Sequence, residues 1–320
     1  MPSRLSPLQA QPCRLMTPAV VCSIGSDLAT IAEALFTGRR GLVYDDTFTP
    51  GRRLPLGRVT TALTDADDLP AAHRSRNNQL LAAALEQLAP TLDAFRKRRP
   101  QARIGVVLGT STSGIGETET AMAKRQQEGD WPSDFHYQRH EIGSSASFVA
   151  ERLKLEGPAY TLSTACTSSA RSLASAKRLL AGGVCDAVIA GGADSLCGLT
   201  VNGFASLEAL SNHPCQPFSA NRDGINLGEA AALFLVTAET GGIQLSGYGE
   251  SSDAHHISAP RPDGQGAITA IQAALDMAQL PATAIDYLNL HGTATRQNDS
   301  MEAIAVAHLF GDQLPCSSTK

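Results

Sequence analysis

The order of residue types from Ala159 to Val236 constrains this chain most. A short apolar run, Ala159 to Ser163, feeds directly into Thr164-Ala165-Cys166. After it, Ala170, Leu173, Ala174, Lys177 and Leu180 recur at helical intervals, and Ala181-Gly182-Gly183 stops the pattern. Asp186 to Ala190 reads as a buried strand closed by Gly191-Gly192, and Ala230 to Val236 as another. Short buried strands joined to small-residue helices bury their faces only by stacking in layers, which places the chain in the layered α/β class.

The flanking segments repeat that alternation. Ala19 to Gly25 predicts a buried strand, Leu28 to Phe36 an amphipathic helix ended by Thr37-Gly38, and 39–75 a surface excursion. Leu80, Leu81, Ala84, Leu85 and Leu88 predict a helix over Asn77 to Phe95, and Ile104 to Leu108 a buried strand. Thr110 to His140 reads as an insertion with a short helix, either a solvated loop or a subunit contact or cavity lining. Strands are expected at Ile243 to Tyr248, Ile285 to Leu290 and Pro315 to Thr319, and helices at Gln265 to Ala278 and Glu302 to Leu309. Both parts of the chain carry a strand–turn–helix with a reactive residue at the turn, as two related halves would.

Composition narrows the function classes. The chain has 320 residues, 42% hydrophobic and 18% charged, which suits a large globular core. A net charge of −5 gives no basic domain of nucleic-acid-binding type, although a local basic patch can still dock an acidic partner. Seven scattered Cys with no CxxC pair argue for a reduced, cytoplasmic setting and against a disulfide scaffold or zinc ribbon. The N-terminus lacks an apolar signal-type core, and no run of membrane-spanning length occurs.

Two residues stand out chemically. Cys166 falls at a strand-to-helix junction, where helix N–H groups and the helix dipole favour a thiolate, and its small neighbours admit a bulky acyl group. The bland reading is a buried structural cysteine, which is adopted for the other six. His291 follows an apolar strand directly, with Gly292 giving the backbone room, at the kind of strand end where α/β sites form. Its bland reading is a core histidine. His73, His136, His140, His213 and His308 are assigned surface or structural roles. The pair His255-His256 is left open, because no further ligand stands at metal-binding spacing. Asp299 and Glu302, three apart, share a helix face. Ser113-Gly114-Ile115-Gly116 lacks the spacing of a nucleotide loop.

Together these segments resemble the β-ketoacyl-[acyl carrier protein] synthases of the elongating type. Thr164-Ala165-Cys166-Thr167-Ser168 resembles the nucleophile motif, and Ala190-Gly191-Gly192-Ala193-Asp194 the glycine-rich strand end after it. Pro217-Phe218-Ser219-Ala220-Asn221-Arg222-Asp223-Gly224, then Gly228-Glu229-Ala230-Ala231, matches a third stretch, with Ser219 for Asp and Ile225 for Phe. His291-Gly292-Thr293-Ala294-Thr295 with Asn298-Asp299 resembles the first histidine motif, and Ser317-Ser318-Thr319-Lys320 the start of the lysine motif. Five such motifs in family order are specific.

The resemblance implies a thiolase-like fold of two pseudo-symmetric layered α/β halves. Residues 1–241 would be the half carrying the nucleophile, and 242–320 a partial second half carrying the first histidine. Cys166 would take an acyl group from acyl carrier protein, and malonyl-carrier protein would then decarboxylate and attack the thioester. His291 would donate to the malonyl thioester oxygen. Thr293 and Thr295 would contact the phosphopantetheine arm, and Glu302 and Lys320 would form a supporting ion pair near Asp299. No cofactor or metal is implied, since the carrier partner brings the phosphopantetheine. A homodimer, or a heterodimer with a related subunit, is expected.

The family continues past the lysine to a second histidine and a glycine-rich gate, whereas this sequence stops at Lys320. The expectation is therefore a fragment or a damaged product, with exposed apolar sheet edges and no condensation by the 320-residue chain alone. Alternatives are a non-catalytic chain-length partner or an inactive truncated relative.

Overall fold

The structure, a computed structural model, describes residues 11–320; part of the N-terminal stretch read for a signal segment lies outside the described residues. The described chain groups into two compact units. One contains the chain up to Val43, Leu56–Asn202 and Leu227–Gln244, and the other Tyr44–Pro55, Gly203–Asn226 and Leu245–Lys320. Residues 44–55 and 203–226 thus pack with the C-terminal segment, although they precede the 241/242 division expected from sequence.

The first unit is built on a seven-stranded sheet. Its strands are β1 (Arg14–Leu15), β2 (Ala19–Cys22), β5 (Ile104–Gly109), β6 (Ala159–Leu162), β7 (Ala187–Asp194), β8 (Ala230–Thr237) and β9 (Ile243–Gln244). Their order is β6-β5-β7-β8-β1-β9, with β2 also paired to β8. A separate two-stranded sheet pairs β3 (Val43–Asp45) with β4 (Leu54–Leu56). β6, β5 and β7 run parallel, and β8 runs antiparallel to β7.

Both faces of the central strands are covered, so β5 is buried at every position. Ile104, Val106 and Leu108 join Ala187, Ile189, Leu233 and Leu235 in one core. That core is closed by Leu80, Leu81, Leu88 and Phe95 of the long helix α2 (Arg76–Arg98) and by Phe148 of α4 (Ser144–Leu153). The helix α5 (Ser168–Ala181) also packs on β7 and β5, and a short helix, α6 (Gly198–Ser206), follows β7. Burying a large aliphatic side chain contributes about 1.5–3 kcal/mol, so this core dominates the unit.

Where the structure departs from the sequence expectations, packing gives the reason. α1 (Leu28–Phe36) forms as expected, capped by Asp27, whose carboxylate accepts from Thr30 N at 2.9 Å. The 39–75 segment is not only surface, because Leu54, Leu56, Val59, Leu69 and His73 are all buried. His73 Nε2 lies 2.9 Å from Glu151. The 110–140 insertion carries a helix of 14 residues, α3 (Ile115–Glu128). α4 is unannounced in sequence, and its buried Ser144 and Ser145 pair with Asn78 and Asn77 of α2.

Gly191 and Gly192 do not close β7; they lie inside it. A Cβ on Gly191 would meet Ala232 O at 2.0 Å, and one on Gly192 would meet Gly109 O at 2.4 Å. The glycines are required there by close backbone approach rather than by a turn.

In the second unit, helices α7 (Gln265–Ala278) and α8 (Arg296–Phe310) pack together. The strand expected over Ile243 to Tyr248 pairs only as far as Gln244. Beyond it Gly247 and Gly249 run against α7, where a Cβ would meet Ala274 O at 2.1 Å and Ala270 O at 1.9 Å. β10 (Leu288–Asn289) and β11 (Cys316–Ser317) pair parallel over two residues each, shorter than expected. α8 starts at Arg296, six residues before the expected Glu302, so Asp299 and Glu302 lie inside it. Among the described residues no helix is long and apolar enough to cross a membrane.

Candidate active site

In the first unit, β6 delivers the chain to Cys166 through a strained turn. Ala165 has φ of 55°, a left-handed conformation that costs a non-glycine residue about 1–2 kcal/mol. The surrounding residues hold it. Thr164 N donates to Ser168 Oγ at 2.9 Å, and that hydroxyl donates to Ala165 O at 2.6 Å. Thr167 Oγ1 donates to Thr164 O at 2.9 Å. The helix begins at Ser168, two residues beyond Cys166, and the cysteine itself is exposed.

The start of α5 can sit this close to the sheet only because Gly109 and Gly192 face it. A Cβ on Gly109 would meet Ser169 N at 2.5 Å, and one on Gly192 would meet Ser169 Oγ at 2.3 Å. Ser172 Oγ bridges to β7, accepting from Gly191 N at 3.0 Å and donating to Gly191 O at 2.8 Å.

Beside this turn, at the ends of β5 and β7, Asp194 organises the following loop. Its Oδ1 accepts from Thr110 Oγ1, Ser111 N, Thr112 N and Thr112 Oγ1 at 2.6–3.1 Å. Sequence reading placed Asp194 in a motif but gave it no role; an acid directly after a glycine-rich strand end was the available signal.

The other cysteines differ in setting. Burial pushes the Cys13 thiol up to about 11 and also raises Cys185 and Cys197. Cys215 is buried, Cys22 partly buried, and Cys316 exposed.

In the second unit, His291 stands two residues past Asn289, the last residue of β10. Its backbone N and that of Gly292 both donate to the Glu302 carboxylate, at 2.6 and 2.9 Å. Glu302 therefore clamps the histidine turn through the main chain. Asp299 is 1% exposed and does similar work nearby. It accepts from Ala294 N at 3.1 Å and Phe218 N at 2.7 Å, with Arg222 Nε at 3.8 Å.

Gly292, Ala294 and Phe218 all have positive φ, at 48°, 60° and 62°, so the two carboxylates hold a strained pair of turns. A side chain on Gly292 would meet Ser318 Oγ at 2.5 Å and the Phe218 ring at 3.2 Å. Thr293 and Thr295 pair through their hydroxyls at 2.8 Å. Lys320 N donates to Ser318 Oγ at 3.4 Å.

Partial withdrawal from water lowers the His291 pKa below its ordinary value of 6.5. The Lys320 charge lowers it further, while Glu302 and Asp299 raise it. The net effect keeps the imidazole neutral near pH 7, an N–H donor and not a cation. Among the described residues no group of three or more His, Cys, Asp or Glu could hold a metal ion.

These elements fit the comparisons with known proteins. The Beta-ketoacyl synthase, N-terminal domain, matches residues 75–240, and the Beta-ketoacyl synthase, C-terminal domain, matches 243–320. The 3-oxoacyl-[acyl-carrier-protein] synthase 2 of Rhizobium meliloti is 33% identical over 293 residues, covering 84% of this chain and 69% of its own length. A ketosynthase (ApeO) solved in complex with its chain length factor (ApeC), from Xenorhabdus doucetiae, matches with TM-score 0.90 and 43% identity, covering 98% of this chain and 79% of that one. A β-ketoacyl synthase from Burkholderia phymatum STM815 matches with TM-score 0.83 and 26% identity, covering 97% and 81%. With its thiolase-like layered α/β fold, this chain belongs to the β-ketoacyl synthase family.

Proposed function

We propose that the protein condenses acyl and malonyl thioesters carried on acyl carrier protein. The observation that carries this reading is an exposed Cys166 on a strained, hydrogen-bonded turn at the head of α5, in a chain of this family. The Cys166 thiolate attacks the acyl thioester carbonyl and expels the carrier's pantetheine thiol. Malonyl-carrier protein then loses CO₂, and its α-carbon attacks the Cys166 thioester. That step frees the thiolate and leaves a 3-oxoacyl-carrier product.

Negative charge develops on the malonyl thioester oxygen as CO₂ leaves, and a neutral His291 donates to it. Glu302 and Asp299 position the histidine turn, with Lys320 supporting it, and Thr293 and Thr295 contact the pantetheine arm. The reaction needs no cofactor beyond the arm that the carrier brings. The working assembly is a dimer, with itself or with a related subunit, in the cytoplasm. The two functional parts are 1–241 and 242–320.

A second reading, a non-catalytic chain-length partner, has one observation behind it: the 43% identical relative is solved with a chain length factor. Cys166 favours the catalytic role. Intact mass spectrometry after incubation with acyl-carrier protein separates the two. One acyl group gained, and lost in Cys166→Ala, supports the synthase. No acylation removes it and leaves the partner role. Acylation without release of CO₂ from malonyl-carrier protein would mark this chain as an acyl acceptor that does not condense.

A further inference from the structure

In the first unit the long helix α2 ends in a run of cations. Leu92 and Phe95 turn one face of its last turns into the core, and Pro100 stops it. Lys97, Arg98 and Arg99 are left exposed. Cations in a last helical turn complement the helix dipole, which is the bland reading. That reading accounts for α2 alone, and other elements bring more positive charge to the same place. Arg96 Nη2 donates to Leu153 O at 2.9 Å, which sets the exposed Lys154, at the end of α4, beside it. Arg98 and Arg14 of β1 share Glu239, at 3.4 and 3.3 Å. Arg103, just before β5, pairs with Asp186 at 3.1 Å.

The nearby acids do not balance this set. Glu239 is divided between two guanidinium groups, and Asp186 is taken by Arg103. Among the described residues neither Lys97 nor Arg99 has a side-chain hydrogen bond or ion pair. In a chain of net charge −5 this is a local reversal of sign. The patch is also remote from the nucleophile. β5, β6 and β7 run parallel; Arg103 and Asp186 precede β5 and β7, whereas Cys166 follows β6. The six residues of β5 therefore hold the patch about 20 Å from the reactive end of the sheet.

We propose that the end of α2, with Arg14, Arg103 and Lys154, is a peripheral docking surface for an anionic phospholipid bilayer. Protein interfaces are built around apolar anchors, with charge depleted at their centre. Here Phe95 is buried, and the exposed side chains from 96 to 101 are polar or charged apart from Pro100. Long cationic side chains without an apolar centre need no matching shape, which suits a fluid layer of anionic headgroups. A bilayer on this side leaves the Cys166 end of the sheet open to soluble donors.

Vesicle sedimentation of the full chain at constant pH tests this. Binding is expected to vesicles of equal parts phosphatidylcholine and phosphatidylglycerol, lost at high salt, and absent with phosphatidylcholine alone. The double variant Lys97→Glu/Arg99→Glu should bind the anionic vesicles more weakly by about tenfold or more. Lys124→Glu, at an exposed position of α3, changes the net charge as Lys97→Glu does and should bind like the wild type. If the double variant has a lower urea midpoint, Lys97→Gln/Arg99→Gln takes its place, with a smaller loss expected. No binding to the anionic vesicles, equal binding to both vesicles, or equal binding by wild type and double variant overturns the proposal. Binding of polyglutamate or duplex DNA through the same two residues, without vesicle binding, would assign the patch to an acidic polymer and overturn the lipid reading as well.

Discussion

At the residue scale, the contrast among the seven cysteines decides reactivity. Cys166 and Cys316 are exposed, whereas Cys13, Cys185, Cys197 and Cys215 are buried. Alkylation of the native protein by iodoacetamide, followed by peptide mass spectrometry, should mark Cys166 and Cys316 first and spare the buried four until denaturant is added. Labelling of Cys197 as fast as Cys166 would refute this ranking.

His291 makes a separate, signed prediction. Its folded pKa lies below the unfolded value, so the unfolded chain takes up a proton first as pH falls. Above 6.5 the group contributes no pH dependence; from 6.5 down to its lowered folded value, stability declines. His291→Asn should remove that part of the acid-side loss. Urea midpoints at pH 7.5 and about 5.5 check it, and an unchanged difference between wild type and variant would contradict it.

At the element scale, the meeting of α5 with the sheet is the point most sensitive to a single atom. Gly109→Ala would place a methyl group 2.4–2.6 Å from the backbone of Ser168 and Ser169. Overpacking of this kind costs about 1–3 kcal/mol, and here it also shifts the turn that presents Cys166. The expected result is a lower urea midpoint together with slower acylation of Cys166. A variant that loses stability but acylates at the wild-type rate would show the turn to be independent of this contact.

The same junction shows what sequence can and cannot disclose. α1 and α7 were legible to the residue, because their apolar spacing and end signals are local. Gly191 and Gly192 were misread as a strand end, because the cause of their small size is the backbone of the neighbouring strands β8 and β5, which local sequence does not show. α4 escaped notice because its buried Ser144 and Ser145 look polar until Asn77 and Asn78 are placed against them. In the candidate site, the placement of Cys166 and His291 just past short strands was legible from local sequence, whereas the roles given to them came from the resemblance. The grip of Glu302 on two consecutive N–H groups and that of Asp299 on Phe218 and Ala294 depend on the tertiary fold, and no spacing rule announces them.

At the scale of the whole molecule, the two units differ in how much each buries. The first holds a continuous core of β5, β7, β8 and α2, where Val106, Val107, Leu108, Val188, Ile189, Leu233 and Leu235 are fully buried. In the second unit, few large side chains are buried; Leu275, Leu290 and Val306 are 6–9% exposed, and Tyr287 and Ile304 are 52% and 49% exposed. Opening free energy follows local burial and hydrogen bonding, so the units should not open together. In hydrogen–deuterium exchange, amides of β5, β7 and β8 should exchange only through global unfolding, with the slowest rates and the steepest dependence on denaturant. Amides of α7, α8, β10 and β11 should exchange earlier, through an opening that leaves the first sheet protected. Such an opening would release the clamp on His291 while the Cys166 turn stays formed, so a low concentration of urea should weaken decarboxylation before it weakens acylation. Equal protection of β7 and α8, with both half-reactions lost at one urea concentration, would instead mean that the chain opens as a single cooperative unit.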